Sequence, residues 1–155
     1  METWHRLVNT EGLEKMTKVF IVEDDHDLRK LCKRMLKTKG YEVISASNGK
    51  EAVDLFKSLD VKPDVIMMDY KMPIKNGLDA TKEILALDAS SKIIMVTAHR
   101  VIKKEALALG VKSFILKPFS FKKLEKKIRK LARGKRKLFS RESKTLKRGR
   151  KVLLC

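Results

Sequence analysis

The 155-residue chain carries only two cysteines, Cys32 and Cys155, too few and too badly spaced for a disulfide framework or a structural zinc site. It also has no long apolar run. Val19-Phe20-Ile21-Val22 and Ile93-Ile94-Met95-Val96 are soon broken by charge, far short of the ~20 apolar residues of a bilayer-spanning helix. The expectation is that the protein is not integral to a membrane. The opening segment lacks the apolar centre of a secretory signal, so a reducing cytoplasm is the expected location. Acidic residues are scarce as well, 19 against 37 Lys+Arg, for a formal net charge of +18. Half of the excess lies in residues 133–155, where ten basic side chains face one acid, Glu142. Such a block repels itself and reads as a solvated tail unless an anion organises it.

What is present suits one domain. With 43% hydrophobic residues, a chain of this size can bury a substantial core. Five strand-sized apolar runs recur, at Val19–Val22, Glu42–Ala46, Asp64–Met68, Lys92–Val96 and Ser113–Leu116. Between them apolar residues fall at helical spacing, as in Leu28, Leu31, Cys32, Met35 and Leu36, then Ala52, Val53 and Phe56, then Leu78, Ile84 and Leu85,. A last segment aligns Phe121, Leu124, Ile128 and Leu131 on one face and Lys122, Lys123, Lys126, Lys127 and Lys130 on the other,. Gly40 and Gly110 stand where helices should end, and Asn48 with Glu51 resembles a capping pair at a helix start. Near-continuous apolar strands alternating with single helices imply a doubly wound α/β fold around a parallel sheet.

Polar residues follow these runs: Glu23-Asp24-Asp25 after the first, Asp69 after the third, Thr97 after the fourth and Lys117-Pro118 after the fifth. An open parallel sheet gathers such residues at its carboxyl edge, where ligands bind. Carboxylates clustered at Glu23, Asp24 and Asp69 cannot all remain ionised side by side without compensation, a conflict that a divalent cation removes. Hard oxygen donors suit Mg²⁺, or Mn²⁺, with coordination positions left for phosphate oxygens. Lys117 can neutralise such a phosphate and Thr97 can donate to it. Asp69 is then the carboxylate nucleophile of a phosphoryl transfer.

From Lys18 to Ala132 the chain resembles a response-regulator receiver domain of two-component signalling. The matching stretches are Val19-Phe20-Ile21-Val22-Glu23-Asp24-Asp25, Met67-Met68-Asp69-Tyr70-Lys71-Met72-Pro73 with Asn76-Gly77, Val96-Thr97-Ala98, and Phe114-Ile115-Leu116-Lys117-Pro118-Phe119. The resemblance implies a flavodoxin-like five-stranded sheet of order 2-1-3-4-5. It implies that Asp69 is the phosphoacceptor, that Glu23 and Asp24 with Asp69 and the backbone carbonyl of Lys71 hold the metal, and that Asp25 has a helix-start or outer role. It also makes Thr97 and Phe114 the switch pair, pointing outward until a phosphoryl group draws them in. Lys117-Pro118 is similar to the family's cis bond, and Lys71 and His99 occupy positions that tune phosphate lifetime. Lys71 should obstruct attacking water and prolong the phosphoaspartate.

The implied function is that of a phosphorelay response regulator rather than an enzyme beyond its own phosphotransfer and autodephosphorylation. Its phosphodonor is a sensor histidine kinase or phosphotransfer protein, and its output is contact with another protein. The expected organisation is a leader over 1–17, with Met16 as an alternative start, a receiver over 18–132 and a basic tail over 133–155, acting as a stand-alone receiver. The alternative is a nucleic-acid-binding regulator acting through the tail, which could equally touch an anionic membrane surface. A haloacid-dehalogenase-type phosphatase would need a second Asp where Lys71 stands, which argues against it. The 20-residue interval from Thr97 to Lys117 is short for a receiver and predicts a fourth helix that is short or starts late. Read singly, His5, His26 and His99 are surface histidines by default, and Cys32 is a small buried hydrophobe.

Overall fold

A computed structural model describes residues 15–133. The sequence readings for the leader before residue 15 and the tail beyond residue 133 lie outside the described residues. Five parallel strands, β1 (Lys18–Val22), β2 (Glu42–Ala46), β3 (Val65–Met68), β4 (Ile93–Thr97) and β5 (Ser113–Leu116), form one sheet in the order β2-β1-β3-β4-β5. The helices are α1 (His26–Thr38), α2 (Gly49–Ser58), α3 (Gly77–Leu87), α4 (Lys103–Leu109) and α5, residues 121–133. A single 3-10 turn, Arg100–Ile102, precedes α4. The doubly wound sheet and its order are those expected from the sequence.

Alternation along each strand divides the core. Phe20 and Val22 face one side with Ala52, Phe56, Leu78, Ile84, Ile102 and Ala106, whereas Val19 and Ile21 face the other with Cys32, Leu36, Leu124 and Ile128. Thus α2, α3 and α4 cover one face of the sheet, and α1 and α5 the other. Each fully buried Val, Leu, Ile or Phe among them contributes roughly 1.5–3 kcal/mol.

Local chemistry explains the element ends. Asp25 caps α1, its Oδ1 accepting from the Leu28 N–H at 2.9 Å, and Asn48 caps α2 by accepting from the Glu51 N–H at 2.9 Å. Glu51 reaches back to the Ser47 N–H, completing the expected capping arrangement,. Gly40 and Gly110 both adopt positive φ, as their positions after α1 and α4 suggest,. Asn76 caps α3 in the same way through the Asp79 N–H.

Three expectations shift. Asp64 does not open β3; its carboxylate accepts from the Lys18 N–H and its own N–H donates to the Lys18 carbonyl, fastening the start of β1. Lys92 likewise precedes β4 and sends its ammonium to the Leu131 carbonyl near the end of α5. Leu31 belongs to the apolar stripe of α1 but stays exposed, on the rim of a groove with Leu28, Met35, Phe119 and Phe121. The anticipated contraction between Thr97 and Lys117 is taken up by the 3-10 turn and a helix of only seven residues. Among the described residues no helix is long and apolar enough to cross a membrane.

Candidate functional site

Parallel strands ending in register deliver their next residues to one edge. Glu23 follows β1, Asp69 follows β3 and Lys117 follows β5, while Thr97 is the last residue of β4. Backbone bonds hold these ends level: Asp69 N–H donates to Val22 O at 2.9 Å, Glu23 N–H to Ala46 O at 3.2 Å, and Lys117 N–H to Thr97 O at 3.0 Å.

Glu23 is 1% exposed and Asp69 6%. The Lys117 ammonium donates to Glu23 Oε2 at 2.7 Å and to Asp69 Oδ2 at 3.0 Å. Exposed Asp24 completes the acidic group, and carboxylate oxygens of Glu23, Asp24 and Asp69 lie within 4.8 Å of one another. Burial pushes the Glu23 carboxyl up to about 7; the hydrogen bond from Lys117 opposes this, and the charge of Asp69 adds to it,. For Lys117, desolvation favours the neutral amine, but the hydrogen bonds to Glu23 and Asp69 outweigh it and hold the group above the usual lysine range.

The second oxygen of Asp69 accepts from the Tyr70 N–H at 2.7 Å. Behind Asp69, Gly77 donates its N–H to the Tyr70 carbonyl at 2.7 Å, and a side chain there would overlap the Asp69 carbonyl oxygen. The Asn76-Gly77 pair therefore sets how closely α3 approaches the acidic edge. Asp25 stands outside the cluster as the α1 cap, which agrees with its helix-start reading.

Thr97 departs from its expected outward orientation. It is completely buried, its hydroxyl accepting from the His99 N–H at 3.2 Å. The reason is local: the chain turns immediately after β4, folding the His99 amide back over the hydroxyl. The register Met68↔Met95 puts Asp69 one residue past β3 and Thr97 two past Met95 on the adjacent strand. Phe114, opposite Met95, is half-buried against the α2–α4 side of the core, also not turned outward. Lys117-Pro118 is cis, as the resemblance implied.

The lysine at position 71 is exposed, two residues past Asp69. His99 is half-buried rather than a surface residue, its ring meeting Tyr70 edge-on at 5.6 Å. His26 is exposed, as expected, whereas His5 lies outside the described residues. Cys32 is buried, and desolvation pushes its thiol up to about 11, the behaviour of an inert core residue,.

Sequence reasoning missed two supports. Arg29, one turn into α1, donates to the carbonyls of Glu23 at 2.7 Å and Asp24 at 3.3 Å, fixing the acidic loop from behind. Lys75 pairs with Glu83 on α3 while its carbonyl accepts from the Gly49 N–H, tying the loop after Asp69 to the start of α2. Neither residue type carries a local signal for such a role.

Comparison with known proteins agrees with this geometry. The family model described as response regulator receiver domain matches residues 19–129. The chemotaxis protein CheY of Thermotoga maritima is 40% identical over 119 residues, covering 75% of this chain and 98% of CheY. Protein CcdB of Bacillus subtilis is 42% identical over 107 residues, 67% of this chain and 88% of its own. Among solved structures, the response regulator TrrA of Thermotoga maritima in complex with Mg²⁺-BeF superposes with a TM-score of 0.69 at 32% identity, covering 75% of this chain and 99% of TrrA.

Proposed function

The chain belongs to the response-regulator receiver family, and from this we propose that Asp69 accepts a phosphoryl group from a phosphohistidine donor in a magnesium-dependent reaction. The observation that carries the reading is the single ammonium of Lys117 shared between Glu23 and Asp69, with Asp24 beside them. Three carboxylates at one edge, one of them held near neutral pKa by burial, form an oxygen donor set that fits a hard divalent cation. Glu23, Asp24, Asp69 and the Lys71 carbonyl would hold Mg²⁺ or Mn²⁺. When bound, the cation supplies charge neutralisation for the phosphoryl oxygens.

The remaining work falls to this chain's own groups. A carboxylate oxygen of Asp69 attacks phosphorus as the bond from phosphorus to the donor's imidazole nitrogen breaks, and the electron pair leaves with that nitrogen. Lys117 then shifts from bridging two carboxylates to pairing a phosphoryl oxygen. Thr97, whose oxygen already accepts from His99 N–H, retains its hydroxyl hydrogen to donate to another. Phe114 follows the movement of β4, and the surface around α4 and β5 changes its partners. Lys71 and His99 flank the phosphoaspartate and set its lifetime.

The protein is thus a signalling phosphoacceptor whose only turnover is its own phosphotransfer and dephosphorylation. A sensor histidine kinase or phosphotransfer protein supplies the phosphoryl group, and a downstream protein reads the switched surface. The receiver unit spans 18–132. The test is incubation with Mg²⁺ and acetyl phosphate, followed by intact mass measurement. Incorporation of one phosphoryl group that needs both the cation and Asp69 supports the reading. Equal incorporation in Asp69→Asn overturns it.

A further inference from the structure

Charge is distributed unevenly along the chain. Residues 121–155 hold 16 basic side chains against two acidic, and the preceding 120 residues hold 21 against 17. The described part of this excess is α5. Lys122, Lys123, Lys126 and Lys130 are exposed and Lys127 is half-buried, on the side opposite Leu124 and Ile128, which are fully buried. At 1.5 Å per residue these five ammonium groups line about 12 Å of helix. Among the described residues no carboxylate pairs with them: Glu125, the one acid of the helix, accepts from the Tyr41 hydroxyl at 3.0 Å and lies 3.8 Å from Arg129. A bonded anchor from Lys92 to the Leu131 carbonyl holds the end of α5 against the sheet, so the stripe is presented on a fixed element.

We propose that the lysine face of α5 binds the phosphate backbone of duplex nucleic acid without regard to sequence. The surface acts independently of the phosphoacceptor edge. Three observations favour this partner. The apolar side of α5 is committed to the core and cannot enter a bilayer, which leaves a membrane only the weaker electrostatic part of an amphipathic-helix interaction. The described stripe offers no exposed aromatic ring on which single-stranded bases could stack,. Five of its cations are lysines, point charges suited to phosphates, and Arg129 beside them lies 3.8 Å from Glu125,. Duplex nucleic acid, with one charge per ~1.7 Å of axis, complements a row of five lysines closely.

The test uses the full chain with a labelled 30-base-pair duplex of arbitrary sequence, and anisotropy titrations between 50 and 200 mM salt. The expected result is binding that weakens steeply with salt. A variant carrying Lys122→Gln, Lys123→Gln, Lys126→Gln and Lys130→Gln should bind at least about tenfold more weakly at 0.1 M salt, with the logarithmic salt slope shallower by about 3 to 4. Its circular dichroism and its phosphorylation by acetyl phosphate should be unchanged, which separates this surface from the Asp69 chemistry. No binding by the parent chain at 50 mM salt overturns the proposal, as does unaltered binding by the fourfold variant. Tighter binding to phosphatidylserine vesicles than to the duplex assigns the face to a membrane and equally overturns it.

Discussion

Lys117 and Glu23 stand 2.7 Å apart although the strands that carry them are separated by β3 and β4. Neighbouring strands lie ~4.8 Å apart, so the lysine reaches across the end of the sheet to a carboxylate from its far side. It touches Asp69 on the way. The three residues therefore respond as one unit to any added charge. A cation held by Glu23 and Asp69 would weaken the hold of Lys117 on both, and a phosphoryl group on Asp69 would offer the ammonium a replacement partner.

That unit should be visible in the pH dependence of stability. Burial raises the Glu23 carboxyl from 4.5 to about 7, so between these values the folded chain retains a proton that the unfolded chain has lost. Stability then falls as pH rises through this window and levels off above it. Melting temperatures in chelator should decline from pH 4.5 to 7 relative to those of Glu23→Gln, and millimolar Mg²⁺ should offset the decline by favouring the ionised carboxylates. Parallel profiles for the two proteins in chelator would contradict the assignment.

Two glycines should respond differently to alanine. At Gly77 the added methyl overlaps the Asp69 carbonyl oxygen, whereas at Gly40 it meets nothing within 4 Å and only the backbone, at φ +83°, resists. We expect Gly77→Ala to lose about 3 kcal/mol or more, together with most acetyl phosphate incorporation. Gly40→Ala should lose about 1 kcal/mol with incorporation intact. Urea unfolding and intact mass measure both, and similar losses at the two sites would refute the close-approach argument.

Lys71 is exposed, two residues past Asp69, and in the proposed role it shields a phosphoaspartate from water. Its removal in Lys71→Ala should shorten the lifetime of the phosphorylated protein roughly two- to fivefold, equivalent to an exposed charge contact of about 0.5–1 kcal/mol. Decay of the phosphorylated mass after donor removal reads this directly. An unchanged or longer lifetime would remove Lys71 from the tuning role.

Ile74 is 78% exposed and is the one non-glycine residue at positive φ, +69°, among the described residues. A β-branched side chain gains little from burial there and strains the backbone. Ile74→Asn, which tolerates this region, should raise stability by about 0.5–1 kcal/mol, seen as a higher urea midpoint. A lower midpoint would mean that the isoleucine makes contacts outweighing its strain.

The fold was legible because period-two and period-3.6 patterns are local, and the polar residues stand immediately after the apolar runs. Glu23, Asp24, Asp69 and Lys117 meet as the topology requires once the strands are parallel. The short interval before Lys117 announced a fourth helix that is short or starts late, and α4 has seven residues after a 3-10 turn. Other features depend on partners far along the chain or on turn geometry. Arg29 reads as an ordinary surface arginine of α1 until the loop carbonyls of Glu23 and Asp24 appear against it. Asp64 and Lys92 sit in apolar surroundings and read as strand residues, yet their side chains bond to Lys18 and Leu131. The inward Thr97 hydroxyl follows from the turn at His99, which no periodicity encodes.

The brevity of α4 has an energetic consequence. Two turns of helix, anchored mainly through Ile102 and Ala106, lie well below the length at which a helix sustains itself in water. Unwinding or re-registering this stretch forfeits little buried surface and leaves the sheet's hydrogen bonding untouched. Remodelling is accordingly less costly here than along α1 or α3, which are longer and bury more of their side chains.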